Sequence, residues 1–456
     1  MSKQTQIKAS FRDPSGFIFK KENIFYRQIN KSYKKEYDFL ITSGLYAELT
    51  KKKLLIKHNE ISGKREPGIY KIIKPEQLSV ITYPYEWCFS QLKDAALATL
   101  EIQVIALEHS MSLKDASAYN IQFAGSRPIF IDTLSFETYE DGQPWVAYRQ
   151  FCQHFLAPLA LMAYEDLRCG LLSQIHLDGI PLDLAAKLLP IKTKISPKFG
   201  PHIHLHARSQ SKNAGKGLGK VKNNLSLNHQ MAILDSLKNA VQSLNLPKQK
   251  TVWHDYYNNT NYTPKATAQK EKIIADWIEQ VKPETVWDTG ANDSTFSQLA
   301  SSRKIPTVAS DFDYLAVEYA YLKAKERDDK FIMPIIIDMT NPSPAIGWGN
   351  KERDSFLSRS SFDLTMSLAL VHHLAIANNL PFSQIAELFA GHTKKLIIEF
   401  VPKEDSNTKR LLANREDIFP DYNEKSFEED FSQYFKIVEK KKIMQSYRTL
   451  YLMERK

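Results

Sequence analysis

Short strand-like runs (Gly16 to Phe19, Leu54 to Lys57, Tyr70 to Ile73) and a basic helical piece from Lys31 to Leu49 predict an α+β region at the start of the chain. From Pro84 the apolar residues Cys88, Leu92, Ala95, Ala96, Leu100, Val104 and Leu107 recur at helical spacing, predicting one long helix that ends near Ser110. Helical segments follow from Trp145 to Leu172 and from Pro181 to Leu189, then a polar stretch, a helix from about His229 to Leu244 and an amphipathic helix before Glu284. Beyond it the pattern alternates regularly. Strands are expected at Thr285 to Trp287, Thr307 to Ser310, Phe331 to Ile337, Phe362 to Leu370 and Leu396 to Val401, with helices between them, then closing strands at Phe435 to Ile443 and Thr449 to Glu454. Five strands separated by helices and a closing pair joined by a few residues predict a mainly parallel sheet with an antiparallel edge.

Length and composition turn this pattern into domains. With 456 residues, 43% apolar and 11% aromatic, the chain can bury more than one core. The expected division is an N-terminal α+β domain over 1–190, a basic linker or loop over 191–225 and an α/β domain over 226–456. No run of 18 apolar residues and no signal-like N-terminus occurs, and the three cysteines, Cys88, Cys152 and Cys169, are too far apart for a CxxC pair. A soluble, cytoplasmic protein without membrane association is expected. Net charge is +9, and its placement is informative: no acid lies between Asp183 and Asp235, while Lys187, Lys192, Lys194, Lys198, Arg208, Lys212, Lys216, Lys220 and Lys222 do. Residues 187–222 would attract the phosphates of a nucleic acid or serve as a solvated tether. His202, His204 and His206 alternate as on one face of an exposed strand, without the cysteine or carboxylate that would complete a metal site; no metal is expected.

The candidate chemistry concentrates in VWDTGANDSTFSQLASSRKIPTVASDFD, residues 286–313. A buried strand leads to a turn holding Asp288, Gly290 and Asn292, then a helix from about Ser294, then a strand ending at Asp311 and Asp313. A turn that opens a helix toward a ligand, with an acid about 20 residues on, is the layout of a nucleotide-binding α/β unit. Only one glycine stands where a dinucleotide fingerprint has three, which argues against a pyrophosphate on the backbone. Asp338 follows the third strand of the alternation, and His372 and His373 follow the fourth. Histidine titrates near neutrality, so that pair is the candidate general base.

This stretch resembles the first motif of class I S-adenosylmethionine-dependent methyltransferases, here Asp288-Thr-Gly290-Ala-Asn292-Asp-Ser294, with Asn292 and Ser294 in place of the second and third glycines. The match covers about residues 250–456, and Trp253 to Tyr262, NPSPAIGW, LALVHHLAI and IEFVPKEDSNTKRLL resemble bacterial nodulation-protein-like methyltransferases. The resemblance implies a Rossmann-like seven-stranded sheet with S-adenosylmethionine as cofactor. Gly290 and Asn292 would shape the loop, a helix starting near Ser294 would receive the methionyl carboxylate, Asp288 would meet the ammonium, and Asp311, with Asp313 as rival, would hold the ribose. Asp338 would approach the adenine amino group. Nearer the N-terminus, Asp115, Asn120 five residues on and Asp132 after a predicted hairpin resemble the catalytic loop and metal-binding aspartate of kinase-like folds, with Lys57 or Lys71 as the phosphate lysine.

The function expected is therefore methyl transfer to an acceptor the sequence does not name. Three alternatives stand beside it: an RNA methyltransferase anchored by the basic segment, a noncatalytic interaction protein whose altered loop has lost its ligand, and magnesium-dependent phosphotransfer by the N-terminal domain.

Overall fold

The computed structural model describes residues 5–22, 24–63, 66–207, 225–246, 262–413 and 416–456. Trp253 to Asn261 and the lysines from Lys212 to Lys222 lie outside the described residues. The chain divides into two compact units, Met1–Lys248 with Ala345–Asp354, and Gln249–Pro344 with Ser355–Lys456. Each unit has its own sheet.

In the first unit β1 (Thr5–Gln6), β2 (Gly16–Lys21), β3 (Ile24–Asn30), β4 (His58–Glu60) and β5 (Ile69–Pro75) form an antiparallel sheet in the order β1-β2-β3-β5-β4. The helix Phe89–Glu108 follows, as its apolar periodicity predicts, with Leu92, Ala95, Ala96, Ile102 and Ala106 all buried. Then come β6 (Met111–Leu113), the hairpin β7 (Ile121–Ala124) and β8 (Arg127–Phe130), and β9 (Phe136–Thr138), which pairs with β6. Asp132 follows the hairpin and is met by a cation from the sheet, Arg27 on β3, at 2.8 Å. Lys71 bonds Glu60 at 2.5 Å instead.

Residues 191–207, where the sequence suggests a tether begins, fold as short 3-10 and π turns, and the helix Leu227–Ser243 belongs to this first unit. The exposed histidine strand is corrected accordingly. His202 and His204 are buried in the π turn Gly200–Leu205; His202 bonds Tyr148 (2.6 Å) and Ser236 (2.8 Å), and His204 bonds Thr193 (2.8 Å). Imidazoles so occupied are core groups, with desolvation holding His202 at about 4. The segment Ala345–Asp354, read from sequence as an insertion in the α/β alternation, also folds with this unit: Glu352 pairs with Arg12 at 2.9 Å, and the Arg353 guanidinium lies 4.4 Å from the Tyr119 ring centre.

The second unit is built on seven strands: β10 (Val286–Thr289), β11 (Thr307–Asp311), β12 (Ile332–Ile336), β13 (Phe362–Ser367), β14 (Thr393–Phe400), β15 (Phe435–Lys442) and β16 (Thr449–Arg455). Their order is β12-β11-β10-β13-β14-β16-β15, with the first five parallel and β16 antiparallel to both of its neighbours. The closing hairpin is thus inserted with its second strand inward. Strands β10, β11 and β12 are buried at every position, as parallel strands covered on both faces must be, and they read as near-continuous apolar runs for that reason. The strand order reverses at β10, so the chain leaves β10 and β13 on opposite sides and opens a crevice at their carboxyl ends.

Candidate functional site

That crevice is a cavity of about 540 Å³, with Lys270, Asp288, Gly290, Asn292, Asp311 and His373 in its wall. The volume is in the usual range for a small-molecule site. Asp288 sits at the end of β10, and its Oδ2 accepts a 2.6 Å hydrogen bond from the Ser297 hydroxyl. Burial pushes its carboxyl up to about 7, against the opposing pull of Ser297 and of the Lys270 ammonium. Asp311 ends β11 and ties the loop down: Oδ2 accepts from the Asn292 N–H at 2.8 Å and Oδ1 from the Asp313 N–H at 2.9 Å. Burial lifts this carboxyl to about 6 despite these two backbone donors and a third, the Phe312 N–H.

Backbone geometry explains the glycine substitutions in the loop. Gly290 has φ 67°, and a Cβ there would stand 3.2 Å from Leu370 Cδ1. Asn292 (φ 49°) and Ser294 (φ 65°) also lie in the left-handed region, so the glycine-like conformation survives without the glycines. Asparagine tolerates it; serine holds it at a strain of about 1–2 kcal/mol. The same geometry corrects the helix start. Left-handed Ser294 cannot begin a right-handed helix, which runs instead over Ser297–Ser301, only 5 residues. One turn aligns too few peptide dipoles to receive a carboxylate in the way the sequence suggests.

Three of the expected residues are not in the wall of this cavity. Asp313 does not line the cavity; it caps the helix Tyr314–Glu326, accepting from the N–H groups of Leu315 (2.9 Å) and Ala316 (3.3 Å). Asp338 closes its own turn, accepting from the Thr340 N–H at 2.8 Å and its hydroxyl at 2.7 Å. His372 is fully buried behind the wall, and neither ring nitrogen has a hydrogen-bond partner among the described residues. Its neighbour His373, 4.2 Å away between ring centres, is the histidine that reaches the cavity. Desolvation and the Arg448 charge hold His373 at about 4, so the ring is neutral at physiological pH.

Sequence reasoning missed a buried charge network beside the cavity. Lys270, on the helix Pro264–Val281, bonds Glu399 of β14 at 2.6 Å. Arg448, 1% exposed, reaches Glu399 at 3.2 Å and Asp405 at 2.7 Å, and Tyr262 donates its hydroxyl to Glu399. The one visible signal was Glu399 standing in the apolar run LIIEFV. Its carboxyl is held down to about 2: the two cations and hydrogen bonds outweigh a large desolvation cost.

Sheet order, strand directions and a ligand-sized crevice at the switch point define the architecture that the resemblance to class I methyltransferases implies. Nodulation protein NoeA of Rhizobium meliloti (strain 1021) is 37% identical over 464 residues, covering 99% of this chain and 96% of the relative, and this chain belongs to the NoeA family. No family model matches the sequence. Among solved structures, similarity is reported to the magnesium protoporphyrin IX methyltransferase ChlM of Synechocystis PCC 6803 with bound SAH (14% identity, 45% of this chain and 93% of that one, TM-score 0.32). It is also reported to the N-methyltransferase NodS of Bradyrhizobium japonicum WM9 (11% identity, 42% and 97%, TM-score 0.30). Likeness this faint decides neither fold nor chemistry. Among the described residues no helix is long and apolar enough to cross a membrane.

Proposed function

We infer that the chain transfers a methyl group from S-adenosylmethionine to an acceptor entering beside His373. The observation that carries this reading is the convergence of Asp288, Gly290, Asn292 and Asp311 on one cavity. Two buried carboxyls held partly protonated near neutrality fit a ligand that brings a cation and a vicinal diol, since such a ligand restores the ionised form that burial disfavours. When bound, the cofactor supplies a methyl group on a positively charged sulfur, open to in-line displacement.

The chain's own residues would then act as follows. Asp311 accepts the ribose hydroxyls on lone pairs not used by its backbone N–H donors. Asp288 faces the methionyl ammonium. His373, neutral and of low basicity, hydrogen-bonds and orients the acceptor and takes a proton only from an acidic one. Leu370, Ala377 and Leu411 add apolar surface to the cavity wall.

For the first unit, the reading is a degenerate kinase-like fold. It is supported by the five-stranded sheet, the long helix and hairpin, and by Asp115 and Asn120 placed ahead of Asp132. Arg27, shared between Asp13 and Asp132, occupies the carboxylate that would hold a metal.

Transfer of labelled methyl groups from S-adenosylmethionine into fractionated cell extract tests the main reading. Labelling is expected with the wild type and not with Asp288→Ala; equal labelling by both removes the site assignment.

A further inference from the structure

We propose that Lys270 is the residue that receives the methionyl carboxylate of the cofactor, an assignment that rests on the methyltransferase reading. An α-amino acid carries its ammonium and carboxylate on one carbon, so a site that holds both needs a cation and an anion side by side. Lys270 and Asp288 are such a pair: both line the cavity, and each perturbs the other's charge. The helix at Ser297 is a single turn and offers only partial charges on its N–H groups, whereas Lys270 puts a full positive charge in the cavity wall.

Lys270 is also placed as a ligand-binding cation would be. It is 2% exposed and held rigidly, its ammonium 4.5 Å from the Phe296 ring centre and 5.0 Å from that of Tyr262. Of its three N–H donors, one goes to Glu399 at 2.6 Å. Two remain, next to the cavity. Glu399 itself is shared with Arg448, whose guanidinium also pairs with Asp405. Two cations and two carboxylates therefore face one another within the network; burial pulls the Lys270 ammonium toward its neutral form, and Glu399 opposes that pull. A zwitterion whose carboxylate enters beside Lys270 and whose ammonium enters beside Asp288 adds no net charge of its own to the buried site.

The test compares three ligands by titration calorimetry on the full chain: S-adenosylmethionine, its decarboxylated form and 5′-methylthioadenosine. A charge-assisted hydrogen bond predicts that wild type prefers the carboxylate-bearing ligand roughly 10- to 100-fold. Lys270→Met is expected to remove that preference while leaving the affinity for 5′-methylthioadenosine unchanged, and Lys270→Arg to keep it. Because Lys270→Met leaves Glu399 with one cation fewer, Lys270→Met/Glu399→Gln repeats the test with both charges removed. Equal weakening of all three ligands, or a wild type that does not discriminate, overturns the assignment. Binding of 5′-methylthioadenosine in that case leaves the nucleoside site standing, whereas no binding of any of the three by wild type overturns the methyltransferase reading as well.

Discussion

Acidification should weaken cofactor binding steeply, by an amount the buried acids set. Asp288 and Asp311 are pushed up to about 7 and about 6 by desolvation. If the bound state requires both ionised, apparent affinity scales with the ionised fraction of each. Between about pH 7.5 and about pH 5.5 that fraction falls roughly 25-fold for Asp288 and roughly 4-fold for Asp311, roughly 100-fold together or about 2.7 kcal/mol. The sign follows from the direction of the shifts. Acids raised by burial favour the folded apo protein while protonated, at low pH, and this contribution is lost as pH rises through about 6 and about 7. A ligand that brings an ammonium relieves that loss, so it binds with release of protons. Titration calorimetry across this range, in buffers of different ionisation enthalpy, measures both the affinity and the protons. Adenosine, which has the ribose and no ammonium, should show only the roughly 4-fold part. Asp288→Asn should remove the roughly 25-fold part for S-adenosylmethionine. A profile flat over this range, or one unchanged in both Asp288→Asn and Asp311→Asn, refutes the reasoning.

Ser294→Gly should stabilise the second unit by about 1 kcal/mol, because it releases a left-handed serine whose buried hydroxyl has no partner among the described residues; chemical denaturation checks it, and a loss of stability contradicts the strain argument. Glu399→Ala should cost about 3–5 kcal/mol by leaving Lys270 and Arg448 underpaired in the core, whereas a loss under about 1 kcal/mol would show the network to be dispensable. Since Glu399 is held down to about 2, its contribution is present above the ordinary carboxylate range and disappears as pH falls toward about 2, which acid unfolding of the wild type and Glu399→Gln should separate.

Much of the second unit was legible in the chain, because a parallel sheet covered on both faces needs apolar runs and its connections need helical periodicity. Asp288, Gly290 and Asp311 could be placed at strand ends from spacing alone, and even the left-handed loop was foreshadowed by the residues standing at the glycine positions. What a linear pattern cannot carry is which way a side chain points once its strand has ended. Asp311 and Asp313 are two residues apart, yet one faces the cavity and the other caps a helix. His372 and His373 are adjacent, yet one is sealed in the core.

The charge network lay further out of reach. Lys270 and Glu399 are separated by 129 positions, and Arg448 and Glu399 by 49. Lys270 and Arg448 each read as ordinary surface charges, Glu399 alone stands out in its apolar run, and only the folded chain brings them together. The sequence by itself determined the alternation of strands and helices and the acids at their ends, since both follow from local periodicity and turn chemistry. The tertiary structure decided which of those acids share a cavity, where the first helix begins and which lysine stands beside Asp288, because these depend on strand order and on backbone sign, neither of which is encoded at any one position.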